Sequence, residues 1–123
     1  MFENSIARYL EKHGHSNIQL KAVLFDMDGV LFNSMPYHAD AWHKVMKRHG
    51  LHLSREEAYM HEGRTGASTI NIVYQRQYGK DATPEMIESI YAEKSAEFST
   101  HPEPERMPGA LEVLQKVKAA GLI

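Results

Sequence analysis

Most of this sequence spaces its apolar residues by three and four positions, the mark of helices with one buried face. Tyr37, Ala41, Trp42, Val45 and Met46 share one side of a segment opened by Ser34 and Pro36 and stopped near Gly50. Ser54, with Glu57 three residues on, resembles a capping box for a short helix. Ile70, Val73, Tyr74, Gln77 and Tyr78 predict another, ended by Gly79. Thr83 as N-cap and Pro84 in the first turn open the next, with Ile87, Ile90, Tyr91 and Phe98 as its buried stripe. A last helix runs from Pro108 to Gly121 and turns Leu111, Leu114 and Val117 inward. An N-terminal one carries Phe2, Ile6, Tyr9 and Leu10 and closes at Gly14.

One segment breaks this spacing. Ala22, Val23, Leu24 and Phe25 are apolar without interruption, the pattern of a short strand covered on both faces. Asp26, Asp28 and Gly29 follow at once. Open parallel sheets bind ligands just beyond the carboxyl ends of their strands. Side chains two apart on extended chain project to the same side, so both carboxylates can address one bound group. Gly29 lets the backbone turn tightly and approach a ligand. Aspartates at a strand end can also be plain turn residues. The apolar run before them and Gly29-Val30-Leu31 after them favour the chemical reading.

A carboxylate that attacks phosphorus forms an acyl phosphate and splits one hard displacement into two easier ones. Such transfer rests on positioning and on neutralising the phosphoryl oxygens. Magnesium suits that task, because it prefers hard oxygen ligands and accepts phosphate into its shell. A second aspartate assists only if it exchanges protons near neutral pH, so a nearby negative charge must raise it from about 3.9.

Composition narrows the field further. The 123 residues are 42% hydrophobic and 24% charged with a formal net charge of −2, as in ordinary globular domains. No basic field exists for nucleic acid or an anionic membrane, and no apolar run would span a bilayer. Residues 1–20 lack the basic and apolar regions of a secretory signal. The absence of cysteine excludes disulfides and fits a reducing, cytoplasmic setting. The eight histidines show no zinc-ligand spacing, and Trp42 with the tyrosines reads as core packing.

Asp26-Met27-Asp28-Gly29-Val30-Leu31, followed by Asn33-Ser34, Tyr37-His38 and Ala41-Trp42, resembles the haloacid dehalogenase-like phosphotransferases, in particular their beta-phosphoglucomutase-like branch. The resemblance implies an α/β fold: a Rossmann-type parallel core interrupted after its first strand by a helical cap. On this chain it implies a helical extension over residues 1–20, first strand and catalytic loop over 21–35, the cap over 36–101, and linker plus return helix over 102–123. Asp26 becomes the nucleophile and Asp28 the general acid/base, and the Asp28 backbone carbonyl joins Asp26 in holding Mg2+. His38 would help position Asp28. Gly29 and the loop Gly63-Arg64-Thr65-Gly66 would meet the substrate, Arg64 gripping an oxygen by paired hydrogen bonds, although an arginine in a solvated loop reads equally well. The expected partner is a small phosphorylated metabolite such as a sugar phosphate. Asn33 stands where many relatives carry aspartate.

The family completes its site with a serine or threonine, a lysine and an acidic pair, all of which would lie beyond Ile123. Lys116 and Lys118 sit on a helix expected to be solvated and do not replace them. One strand followed by helices also leaves a parallel sheet without neighbours. The sequence therefore reads as the first half of something larger, with Leu122-Ile123 as the first step of a second strand. Two functions stay open: magnesium-dependent phosphoryl transfer, by a phosphatase or a mutase, or a truncated, inactive chain that associates through an unpaired strand edge.

Overall fold

The computed structural model describes residues 3–123, so Phe2 lies outside the described residues. Among the described residues there are six helices: α1 (Glu3–His13), α2 (Met35–Arg48), α3 (Arg55–Met60), α4 (Gly66–Tyr78), α5 (Pro84–Phe98) and α6 (Ala110–Ala119). They form two compact units, one of residues 3–25 and 108–123, the other of residues 26–107.

The larger unit holds the core. Ala39, Val45 and Met46 from α2 pack with Leu51, Leu53, Ala58, Ile70, Val73, Ala82 and Ile90. Each large apolar side chain buried here contributes about 1.5–3 kcal/mol. The helix starts follow local chemistry. Ser54 Oγ accepts from Glu57 N–H at 3.0 Å, and Thr83 Oγ1 accepts from Met86 N–H at 3.3 Å beside Pro84. Gly79, at φ 67°, closes α4 in the left-handed region, where its N–H reaches Gln75 O. Ser34 precedes α2 but makes no side-chain capping bond.

The smaller unit departs from expectation. Among the described residues no strand forms, and residues 21–25 are irregular. Val23 N–H donates to Ile123 O, and Ile123 N–H to Lys21 O, the two bonds of a single parallel pairing centred on Ala22. A ladder needs further neighbours, and the described residues supply none. Leu24 is 95% exposed and Ile123 91%. α6 buries none of its residues, so Leu111 and Leu114 face water instead of a core. Ile6 and Tyr9 of α1 are also exposed. No described helix is long and apolar enough to cross a membrane.

Candidate active site

Within the larger unit, residues 27–32 fold into one tight turn. Met27 O accepts from Leu31 and Phe32 N–H, and Gly29 N–H donates to Phe32 O at 2.8 Å. Gly29 sits at φ 74°, where an L side chain would be strained, and a Cβ there would meet Glu62 Oε1 at 3.3 Å. The turn is secured by the chain's second passage: Asn33 N–H donates to Glu105 O and Met107 N–H to Leu31 O.

That turn delivers Asp26 and Asp28 to a cavity of about 320 Å³, also lined by His38, Trp42, His61, Glu62, Arg64, Tyr91 and Lys94. Asp26 is exposed, with Oδ1 accepting from Met27 N–H at 2.9 Å. Asp28 is more constrained. Its Oδ1 accepts from Ser34 Oγ at 2.5 Å and lies 3.3 Å from His38 Nε2. His38 Nδ1 lies 2.7 Å from Lys94 Nζ, and the ring stacks on Phe98 at 4.1 Å. With Lys94 as the ammonium, Nδ1 accepts and the ring proton sits on Nε2, facing the carboxylate. A serine, a histidine and a lysine from three places in the chain thus converge on one aspartate.

The charges follow from this geometry. The Ser34 hydrogen bond, aided by His38 and Lys94, holds the Asp28 carboxyl below its usual range, against partial burial. The expected upward shift is therefore reversed: a hydroxyl, an imidazole and an ammonium are the groups that act on this carboxyl. Burial, then the Lys94 ammonium, push His38 down against the pull of Asp28. Lys94, only 7% exposed, is pushed down by burial, with Asp28 opposing. Its ammonium also lies 5.5 Å from the Trp42 ring centre and 5.2 Å from that of Phe98.

Of the residues singled out from sequence, Asp26, Asp28, His38 and Arg64 come together around one cavity. Gly29 shapes the turn behind it. Thr65 is spent as the N-cap of α4, its Oγ1 accepting from Ser68 N–H at 3.2 Å, and it does not line the cavity. Lys94, Ser34 and Glu62 were not foreseen. A signal for Lys94 existed: Ile87, Ile90, Tyr91, Lys94 and Phe98 keep one helical register, placing a lysine in an apolar stripe.

A family model for haloacid dehalogenase-like hydrolases matches residues 20–123. The chain belongs to that family. A Bacteroides vulgatus protein provisionally named beta-phosphoglucomutase is 66% identical, with a TM-score of 0.91 over 98% of this chain and 50% of its own. A haloacid dehalogenase hydrolase of family IA, variant 3, from Entamoeba histolytica is 26% identical, with a TM-score of 0.63 over 84% of this chain and 46% of its own. CbbY from Rhodobacter sphaeroides, solved with phosphate, is 26% identical, with a TM-score of 0.60 over 85% of this chain and 48% of its own. No curated protein matches. The chain spans about half the length of these haloacid dehalogenase-like structures.

The donors present fit a hard divalent cation. The Asp26 carboxylate and the Asp28 carbonyl would be its oxygen donors, while no described cluster of three His, Cys, Asp or Glu could enclose a metal unaided. Magnesium commonly binds through one or two protein oxygens and completes its shell with water and phosphate.

Proposed function

We propose that this chain carries the nucleophile half of a magnesium-dependent phosphoryl-transfer site that acts on a small phosphorylated metabolite, a sugar phosphate being the best fit. The single supporting observation is the convergence of Asp26 and the Asp28–His38–Lys94 chain on one cavity, with Ser34 bonded to Asp28 from behind. In the reaction, an Asp26 oxygen attacks phosphorus as the bond to the leaving oxygen breaks, and Asp28 gives that oxygen a proton. In return, Asp28 takes the proton of the water or hydroxyl that attacks the aspartyl phosphate, and Asp26 is released. Magnesium would supply charge neutralisation for the phosphoryl oxygens. Asp28 is held ionised before substrate arrives, so it starts as the base form. The negative phosphoryl group then raises its proton affinity, and Asp28 takes up from solvent the proton that it gives to the leaving oxygen. Residues 36–101 serve as the cap, bringing His38, Arg64 and Lys94 to the substrate, in a cytoplasmic enzyme.

The exposed Leu24 and Ile123 favour a second reading, in which the chain alone is inactive and associates through the edge at residues 21–25. One experiment separates the two. Phosphate release from a sugar phosphate is measured with magnesium, for the chain alone and joined to the second half of the Bacteroides vulgatus relative. Turnover in the joined protein, lost by at least about a thousandfold in Asp26→Asn, supports the site. Turnover that survives Asp26→Asn excludes it. An inactive chain that elutes above its own mass supports the second reading.

A further inference from the structure

Residues 101–107, with Pro102 and Pro104 among them, form no helix or strand, yet they brace the turn that carries Asp28. At their far end Glu105 O accepts from Asn33 N–H at 2.8 Å, and Met107 N–H donates to Leu31 O at 2.9 Å. At their near end stands His101, its side chain 15% exposed. His101 Nε2 lies 3.0 Å from Asp40 Oδ2 on α2. Its Nδ1 lies 3.2 Å from Glu97 O and 3.3 Å from Phe98 O, both in the last turn of α5. The ring also stacks on Tyr37 at 5.1 Å. Carboxylates and carbonyls only accept, so a ring with protons on both nitrogens donates to α2 and α5 at once. Asp40 is fixed in turn by Lys44 at 2.7 Å and by Arg55.

We propose that His101 is a positioning residue for Asp28: by tying residues 101–107 to α2 and α5, it fixes Ser34 and His38, the two side chains that meet the carboxylate. Two routes lead from the ring to that group. Along the backbone, Glu105 anchors Asn33, which directly precedes Ser34, and the Ser34 hydroxyl donates to Asp28. Through the side chains, Phe98 lies beside His101, with ring centres 6.4 Å apart, and carries the His38 ring on its face at 4.1 Å. His101 does not line the cavity, so it acts on the chemistry only through these neighbours. A segment without a ladder of its own opens locally once an anchor is lost. Coupling of this kind travels along bonded and packed neighbours and is shown by measuring both ends of the path. The role rests on the phosphoryl-transfer reading, in which Asp28 moves protons, and extends it to a residue outside the cavity.

The test uses the full chain and reads two quantities by NMR: hydrogen exchange at the Asn33 and Met107 amides, and titration of the Asp28 carboxyl. His101→Leu should speed exchange at both amides about tenfold relative to the Val73 amide in α4. It should also raise the Asp28 pKa, because the Ser34 bond is the foremost cause of its depression. His101→Gln keeps a donor at the place of Nε2 and His101→Asn one at the place of Nδ1, so each should restore part of both effects. Unchanged exchange in His101→Leu overturns the inference. Faster exchange with an unmoved Asp28 titration overturns it as well, since His101 is then a structural anchor alone. In the protein joined to the second half of the Bacteroides vulgatus relative, His101→Leu should lower kcat about tenfold with KM nearly unchanged; a loss confined to KM counts against positioning. Turnover that survives Asp26→Asn instead sinks the phosphoryl-transfer reading, and the catalytic meaning of His101 goes with it.

Discussion

Lys94 bears on Asp28 by its charge and, through hydrogen bonds, by way of His38. Its ammonium fixes the imidazole from one side, and the carboxylate fixes it from the other. Replacing Lys94 with Met keeps an unbranched apolar stem against Trp42 and Phe98 but removes the charge. The His38 pKa should then rise, because the cation that opposes a second positive charge is gone while Asp28 still attracts one. Titration of the His38 ring by NMR reads this directly; an unchanged or lower value would show that burial alone governs the ring. Since burial of the Lys94 charge is unfavourable, Lys94→Met should leave stability unchanged or raise it by about 1 kcal/mol.

The helix starts divide into structural and chemical ones. Thr83 caps α5, so Thr83→Ala should cost about 1 kcal/mol in urea unfolding. Ser34 stands at the same kind of position before α2, yet its hydroxyl goes to Asp28. Ser34→Ala should therefore raise the Asp28 pKa, because the hydrogen bond is the foremost cause of its depression. A carboxyl titration that does not move would return Ser34 to a purely structural role. The contrast shows what the sequence could reveal. The helices of residues 35–98 were legible because their caps, glycine stops and apolar stripes are local signals. Asp26 and Asp28 were legible because a short motif carries them. The Ser34 bond to Asp28 and the Lys94 bond to His38 were not, since each joins residues that only the packed helices bring together. Residues 21–25 make only one pairing among the described residues, with Ile123, and α6 leaves Leu111 and Leu114 exposed for a related reason: a periodic apolar pattern states what a segment could bury, not whether a neighbour exists to cover it.

Across the whole molecule, acid sensitivity should belong to residues 26–107, which hold the groups whose surroundings displace their titration: Asp28, His38, Asp40, His61, Lys94 and Glu97 among them. Asp40 is held far below the usual carboxylate range by Lys44 first, then Arg55, with His101 adding to them. Unfolded aspartates titrate near about 3.9, so the contribution of Asp28 and Asp40 is complete above that value and drains away as pH falls through their folded values. The two depressed histidines act earlier. Below about pH 6.5 the unfolded chain takes up protons that half-buried His38 and His61 refuse, so stability starts to fall there. A two-stage loss is expected, shallow below about pH 6.5 and steeper below about pH 4. Trp42, the chain's single tryptophan, packs beside Tyr91 in this unit, so its fluorescence reports on the unit alone. Urea midpoints followed by that signal should decline in both stages. Asp40→Asn should remove about 1 kcal/mol at neutral pH and flatten the acid stage, while leaving the histidine stage in place. An acid stage as steep in Asp40→Asn as in the parent would move the origin of acid unfolding away from the Lys44–Asp40–Arg55 cluster.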